Sequence, residues 1–233
     1  MIDLALAALM LAAAAPVMVL IAAAVLCESG PPVFFSQTRL GREGRRFRMY
    51  KFRKFRERGD TAGRPVTIDD DPRFTRVGSF LARTKLDELP QLWNVVRGDM
   101  SLVGPRPESL AFEDCFAGAH RAVLDHKPGI FGPSQALFRN EAIFYRDRPD
   151  PEEFYRRILF PLKAQIDLAY FGRRTLCRDL GWAVRGGLAV FRGSAGSQKA
   201  ARLVKEAEDR YLAPSGHPMA EPHIARHLEW SDL

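Results

Sequence analysis

The chain has 233 residues, of which 46% are hydrophobic and 27% charged, enough apolar material for a core, and this excludes wholesale disorder. Lysine and arginine number 35 against 28 acidic residues, a net charge of +7, which points to anionic partners without choosing among nucleic acid, phosphorylated substrates and membrane surfaces. Three scattered cysteines, Cys27, Cys115 and Cys177, with no CxxC pair, argue against a disulfide framework or a cysteine zinc site and fit a reducing compartment.

From Leu4 to Cys27 no residue is charged. A helix over ~23 residues rises roughly 34 Å, enough for a hydrocarbon core of about 30 Å. A cleaved signal peptide fits poorly, because the only charge before the apolar run is Asp3 and the run is too long for an h-region. Pro16, near the middle, removes a backbone hydrogen bond, so a kinked span and a helix–break–helix that re-enters on one side both stay open. The stretch that follows, with Arg39, Arg42, Arg45, Arg46, Arg48, Lys51, Arg53, Lys54, Arg56 and Arg58 against Glu43 and Glu57, places that side in the cytoplasm. These cations suit anionic lipid headgroups, or equally a solvated basic loop.

Gly30-Pro31-Pro32 is a break. Val33-Phe34-Phe35 reads as a strand, 41–44 as a turn and Phe47–Phe52 as its partner strand. A polar loop over 59–72 precedes a helical stretch in two pieces from Phe74 to Arg97. The prolines of Ser101–Pro107 predict an extended segment. Leu110–Leu124 reads as helix, Lys127–Pro133 as loop and Glu152–Arg192 as helix. In that last stretch Trp182, Val184, Leu188, Val190 and Phe191 form either an interface-lying apolar face or core packing. A linker over 193–197, a charged helix over 199–212 and a Pro/His-containing tail follow. The five histidines form no ligand spacing for zinc.

Leu89, Leu92, Trp93 and Val96 recur at helical spacing and Gly98 is a natural stop. Pro90 is harmless only in a first turn, which makes Asp87 the N-cap and Glu88 the first helical residue. Asp at an N-cap is ordinary capping chemistry. The other reading is that Asp87 is a nucleophile kept ionised by the helix end and nearby cations, with Glu88 holding Mg²⁺ against diphosphate oxygens.

The run from Asp87-Glu88-Leu89-Pro90-Gln91-Leu92-Trp93-Asn94 through Arg97-Gly98-Asp99-Met100-Ser101-Leu102-Val103-Gly104-Pro105-Arg106-Pro107-Glu108 closely resembles the signature of the bacterial sugar transferases, the monotopic polyprenyl-phosphate phosphoglycosyl transferases. Pro31–Gln37, Tyr50-Lys51-Phe52-Arg53, Lys127-Pro128-Gly129-Ile130, Ile166–Tyr170 and Asp179-Leu180 match in the same order, so the resemblance covers roughly residues 3–191. It implies an α+β fold of the small form: a re-entrant helix broken at Pro16 (1–30), a mostly helical cytoplasmic catalytic domain with a small β-hairpin and interfacial amphipathic helices (31–193), and a linker with a helical tail (194–233). It implies a bacterial inner-membrane enzyme, catalytic domain on the cytoplasmic face, that makes the first membrane-bound intermediate of polysaccharide or glycoconjugate assembly. Asp87 attacks the sugar-bearing phosphorus of a UDP-sugar and expels UMP; polyprenyl phosphate then takes the sugar phosphate. By the same resemblance Asp87 and Glu88 are catalytic and hold Mg²⁺, and Lys51, Arg53, Gln91, Arg106, Lys127 and Arg139 bind substrate. Expected partners are the UDP-sugar, polyprenyl phosphate and anionic lipids but no nucleic acid; homo-oligomerisation stays open.

Several positions depart from the family pattern. Ala15 stands where Ser often precedes the membrane proline, Ala82 where Arg is common and Lys85 where Ser is usual; Phe131 replaces a common Thr and Pro133 a frequent Trp or Leu. Such changes suit a subgroup with a different sugar or nucleotide pocket, or an inactive scaffold of a glycan assembly complex. A membrane-tethered nucleic-acid binder is the third reading, from Phe47, Tyr50, Phe52 and Phe55 interleaved with cations. The identity of the sugar is not legible.

Overall fold

The computed structural model describes residues 2–56, 66, 71–146, 148–188 and 197–211. The apolar N-terminal segment is helix α1, Ile2–Ser29, continuous through Pro16, so the interruption expected there is absent. One stripe of α1 packs on the rest of the chain. Leu6, Ala7, Met10 and Leu11 join Met49, Leu92, Val95, Met100 and Leu102, and Met18, Ile21, Ala22 and Val25 join Phe52 and Leu81. This support along both halves offsets the ~3 kcal/mol that an internal proline costs a helix. Leu4, Leu9, Val17, Val19, Leu20 and Leu26 face outward. Among the described residues α1 is the one helix long and apolar enough to cross a membrane.

Both ends of α1 are tied to the domain. At the start, the Ser101 hydroxyl donates to Asp3 Oδ2. At the end, Arg53 donates to the Ser29 carbonyl at 2.8 Å and the Ser29 hydroxyl at 2.6 Å, and reaches the carbonyls of Gly30 and Pro31. A guanidinium here meets the orphan carbonyls of a helix end and its partial negative charge.

Strands β1 (Phe34–Leu40) and β2 (Arg46–Phe52) form the expected antiparallel hairpin, Phe34 opposite Phe52 and Leu40 opposite Arg46. Helix α2 (Arg76–Thr84) is capped by Thr75, whose hydroxyl accepts from Gly78 N, and by Glu28 at the end of α1, whose carboxylate accepts from Arg76 N and Val77 N. Lys85 then turns the chain in the left-handed region, φ 64°, at a cost of about 1 kcal/mol for a residue with a Cβ. A single 3₁₀ turn, Leu86–Glu88, leads into α3 (Gln91–Val96). Asp87 is therefore not the N-cap of α3. Pro90 takes that place, and the carboxylate pair sits in the preceding turn.

Strand β3 (Ser101–Val103), extended as expected, pairs in parallel with β4 (Gly129–Phe131), inside the segment read as a loop. The backbones nearly touch: a Cβ on Gly129 would lie 2.0 Å from Gly104 N, and one on Gly104 2.2 Å from the Lys127 carbonyl. The span 110–124 forms two 3₁₀ stretches, Leu110–Cys115 and Gly118–Asp125, rather than an α-helix. Helix α4 (Pro133–Leu137) follows β4. Helix α5 (Pro151–Phe154) passes through a π turn, Tyr155–Leu159, into α6 (Phe160–Phe171), and α7 (Leu176–Leu188) follows. Trp182 of α7 is buried beside Tyr170, whereas Val184 is exposed; Val190 and Phe191 lie outside the described residues. Helix α8 (Ser197–Tyr211), the charged helix expected there, sends Ala200, Leu203, Val204 and Ala207 into the main core with Tyr155, Leu159 and Leu162. The remainder of the tail, 212–233, is outside the described residues.

Candidate active site

The Asp87–Glu88 turn is pinned against β2 by Asn94. This fully buried amide accepts from Tyr50 N at 3.1 Å and donates to the Arg48 carbonyl at 2.7 Å, occupying the edge of β2 as a further strand would. The pinning sets α3, and the turn before it, beside the lysines at the end of the hairpin. Lys51 Nζ donates to Glu88 Oε1 at 2.8 Å, and Lys54 Nζ lies 3.1 Å from Asp87 Oδ2.

A narrow cleft, partly open to solvent, is lined by Arg39, Met49, Lys51, Glu88, Gln91, Arg106, Pro107, Gly129, Ile130 and Gln135. Its polar walls come from β1, β2, the 3₁₀ turn, the start of α3, the Pro-Arg-Pro segment and α4. Burial pushes the Lys51 ammonium down to about 8, with Glu88 and Asp87 opposing the shift and Arg106 and Lys54 adding to it. Burial acts to raise the Glu88 carboxyl, yet Lys51, Arg106 and Lys85 outweigh it and hold the group well below the usual carboxylate range. For Arg106, burial works against the charge, but Glu141, Glu88 and Glu108 keep it firmly protonated. Burial lowers Lys85, partly countered by Glu88 and Asp87.

Asp87 itself is 1% exposed. The Lys54 ammonium lies in ion-pair range of its Oδ2, and neither carboxylate oxygen has a hydrogen-bond partner among the described residues. A buried carboxylate oxygen left without a donor costs free energy, and an incoming electrophile or cation would relieve that cost. No three His, Cys, Asp or Glu side chains among the described residues cluster in a way that could hold a metal. The two adjacent carboxylates, with one oxygen unpartnered, suit a Mg²⁺ ion that completes its shell with phosphate oxygens and water rather than with protein alone.

Of the residues singled out from sequence, Lys51, Glu88, Gln91 and Arg106 line the pocket together, with Asp87 next to it. Arg139 is near: its guanidinium donates to the Thr84 carbonyl at 3.3 Å and feels both Glu88 and Asp87. Arg53 is not at the pocket, since its side chain closes the end of α1. Lys127 is not there either. It is exposed, and a Cβ on Gly98, beyond the far end of α3, would lie 3.9 Å from its ammonium. The stacking platform also dissolves, because Phe52 is buried in the core and Phe55 packs on Phe74. Sequence reasoning missed Arg39, Lys54 and Gln135 as neighbours of the site. Lys54 directly follows the Tyr50–Arg53 block, so the signal was adjacency to a motif.

Behind the pocket, Lys163 of α6 donates to Glu141 Oε2 at 3.0 Å and to the Tyr155 hydroxyl at 3.2 Å, and lies 3.5 Å from Glu108 Oε1. Burial acts to raise Glu141, but Lys163 and Arg106 bring it down to about 2. The glutamates that keep Arg106 charged are thus themselves held by a buried lysine.

Comparison with known proteins places this arrangement. The profile of the family described as bacterial sugar transferase matches residues 1–193. The UDP-glucose:undecaprenyl-phosphate glucose-1-phosphate transferase of Escherichia coli (strain K12) is 43% identical over 136 residues, 57% of this chain and 29% of that protein. The enzyme of the same name from Caulobacter vibrioides is 42% identical over 137 residues, 58% of this chain and 51% of that protein. The UDP-N-acetylgalactosamine-undecaprenyl-phosphate N-acetylgalactosaminephosphotransferase of Aeromonas hydrophila is 41% identical over 127 residues, 52% of this chain and 30% of that protein. The chain therefore spans about half of the Caulobacter protein and under a third of the other two. With most of its length matched by the family profile and the carboxylate turn set among cations, the chain belongs to the bacterial sugar transferase family, the polyprenyl-phosphate phosphoglycosyl transferases.

Proposed function

We propose that the chain transfers a sugar-1-phosphate from a UDP-sugar to polyprenyl phosphate, releasing UMP, through a phosphosugar ester on Asp87. The names of the relatives support the donor and acceptor classes. The observation that carries the mechanism is the buried Asp87 carboxylate with an unpartnered oxygen, beside Glu88 and the Lys51–Arg106 wall. One Asp87 oxygen forms a bond to the sugar-bearing phosphorus as the bond to the bridging oxygen breaks, and UMP leaves with that electron pair. An acceptor phosphate oxygen then bonds to the same phosphorus, and the carboxylate recovers its pair. Lys51 and Arg106 neutralise the diphosphate, and Gln91 and Gln135 offer amides that orient it. Glu88, with Asp87, would hold Mg²⁺, which would supply further positive charge at the diphosphate.

We read the protein as seated on the cytoplasmic face of the bacterial inner membrane, with both ends of α1 on that side. Support comes from Asp3 and Ser29, at opposite ends of α1, touching one domain, and from the outward apolar stripe between them. Leu176, Leu180 and Val184, exposed at four-residue spacing on α7, suit an interfacial helix.

The test is UMP release by protein in nanodiscs given Mg²⁺, undecaprenyl phosphate and a panel of UDP-sugars. Asp87→Asn is expected to slow release by about a thousandfold or more, and the intact protein is expected to gain the mass of a sugar phosphate when acceptor is withheld. Normal turnover by Asp87→Asn overturns the nucleophile; silence of the unaltered protein across the panel overturns the donor class. Labelling of an N-terminal cysteine from outside the cell overturns the one-sided placement of α1.

A further inference from the structure

Asp87 is held by more than its own turn. Lys54 leaves β2 with its backbone wedged against α2: its carbonyl accepts from Thr75 N at 3.0 Å, and a Cβ on Gly78 would come within 2.0 Å of that carbonyl. Its side chain runs beside two rings, the ammonium 6.0 Å from the centroid of Phe55 and 5.8 Å from that of Phe74. Those rings pack on each other, centroids 4.9 Å apart, and the Arg73 guanidinium lies 4.6 Å from the Phe55 centroid while paired with Asp71. Backbone and stem are therefore fixed before the ammonium reaches Asp87 Oδ2 at 3.1 Å. Neither oxygen has a hydrogen-bond partner among the described residues, and Oδ2 is the one to which the ammonium is paired.

We propose that Lys54 is a positioning residue for the nucleophile: its ammonium fixes Oδ2 and leaves Oδ1 as the oxygen that attacks the donor phosphorus. The inference rests on Asp87 being the nucleophile. Two physical effects follow. A carboxylate tethered through one oxygen keeps a single orientation, so the other stays aimed, which is the part of a barrier that fixed geometry removes. In the second step, when the Oδ1–phosphorus bond breaks and its electron pair returns to Asp87, the same ammonium stabilises the departing carboxylate. Lys51 differs, for it pairs with Glu88 and faces the pocket, where it meets the substrate directly.

Lys54→Met keeps the stem over the rings and removes the charge; Lys54→Arg keeps the charge. The readouts are single-turnover UMP release without acceptor, and kcat and KM with acceptor, using the UDP-sugar of the panel that the unaltered protein turns over. Lys54→Met is expected to slow UMP release by ~10–100-fold with donor KM within about twofold, and Lys54→Arg to recover to within about fivefold of the parent. Parent-like release by Lys54→Met overturns the inference, as does a loss carried wholly by KM, or an Arg variant as slow as the Met variant. Should Lys54→Met fail to fold, Lys54→Gln carries the same test. Asp87→Asn run alongside separates the two levels. Turnover by Asp87→Asn removes the nucleophile itself, whereas an inactive Asp87→Asn beside a fast Lys54→Met removes only the role of Lys54.

Discussion

Lys163 and Asp87 are both charged side chains nearly sealed from solvent, 4% exposed for the lysine side chain and 1% for the aspartate, yet their surroundings differ in kind. Lys163 is met by two carboxylates and a phenol, so its donors are spent inside the protein. Asp87 has the Lys54 ammonium 3.1 Å from Oδ2, yet neither of its oxygens has a hydrogen-bond partner among the described residues. A buried charge whose valences are filled holds a fold together; one left short is a place where something else binds or reacts. The first cluster braces the second, since Glu108 and Glu141 also keep the pocket's Arg106 charged.

The contrast can be broken by substitution. Lys163→Met strands two glutamates in the interior and is expected to cost ~3–5 kcal/mol in a denaturation series; a loss under about 1 kcal/mol would show that the cluster is not a brace. Next in size, Asn94→Ala leaves Tyr50 N and the Arg48 carbonyl without partners and is expected to cost about 2 kcal/mol, read in the same series. Asp87→Asn should change stability by less than about 1 kcal/mol while abolishing UMP release, because the charge it removes is one the fold does not satisfy. A large destabilisation would move Asp87 into the same class as Lys163.

A pH-dependent effect concerns Asp167, whose carboxylate accepts from Ser134 Oγ at 2.8 Å and Ser134 N at 3.3 Å and so anchors the start of α4. Burial pushes its carboxyl up to about 7, against the Ser134 hydrogen bonds and Lys163, with Glu108 adding to the rise. The folded chain therefore holds this proton more tightly than the unfolded chain, where the group titrates near 3.8. Its contribution to stability is complete below about pH 4 and is lost as pH rises through about 7. Melting temperatures of the parent should fall relative to Asp167→Asn between pH 5 and pH 8. Parallel pH profiles for the two proteins would refute the shift.

What could be read from the chain was whatever lay in contiguous order. Asp87-Glu88 and Pro105-Arg106-Pro107 were legible because each forms one uninterrupted motif, and the hairpin because its turn and apolar strands are adjacent. The Lys163 cluster was not, since its members lie 8, 22 and 55 residues from Lys163 and only packing unites them. Arg53 was misread because an arginine suited to a phosphate is equally suited to the carbonyls of a helix end. Pro90 stays out of a helix interior as expected, but it is the N-cap of α3 rather than a first-turn residue, because the left-handed Lys85 inserts a 3₁₀ turn that no composition rule announces. Strands β3 and β4, three residues each, are too short to show alternation.

The seal at the end of α1 carries one more consequence. The carbonyls of Ser29, Gly30 and Pro31 meet Arg53, and the Glu28 carboxylate is taken up by the first amides of α2. The oily segment thus hands over to the folded body through a junction at which Arg53 and Glu28 supply hydrogen bonds to backbone groups. On the proposed seating, a guanidinium already bonded to these carbonyls lets the junction sit at the edge of the apolar zone with fewer polar groups left for water to satisfy.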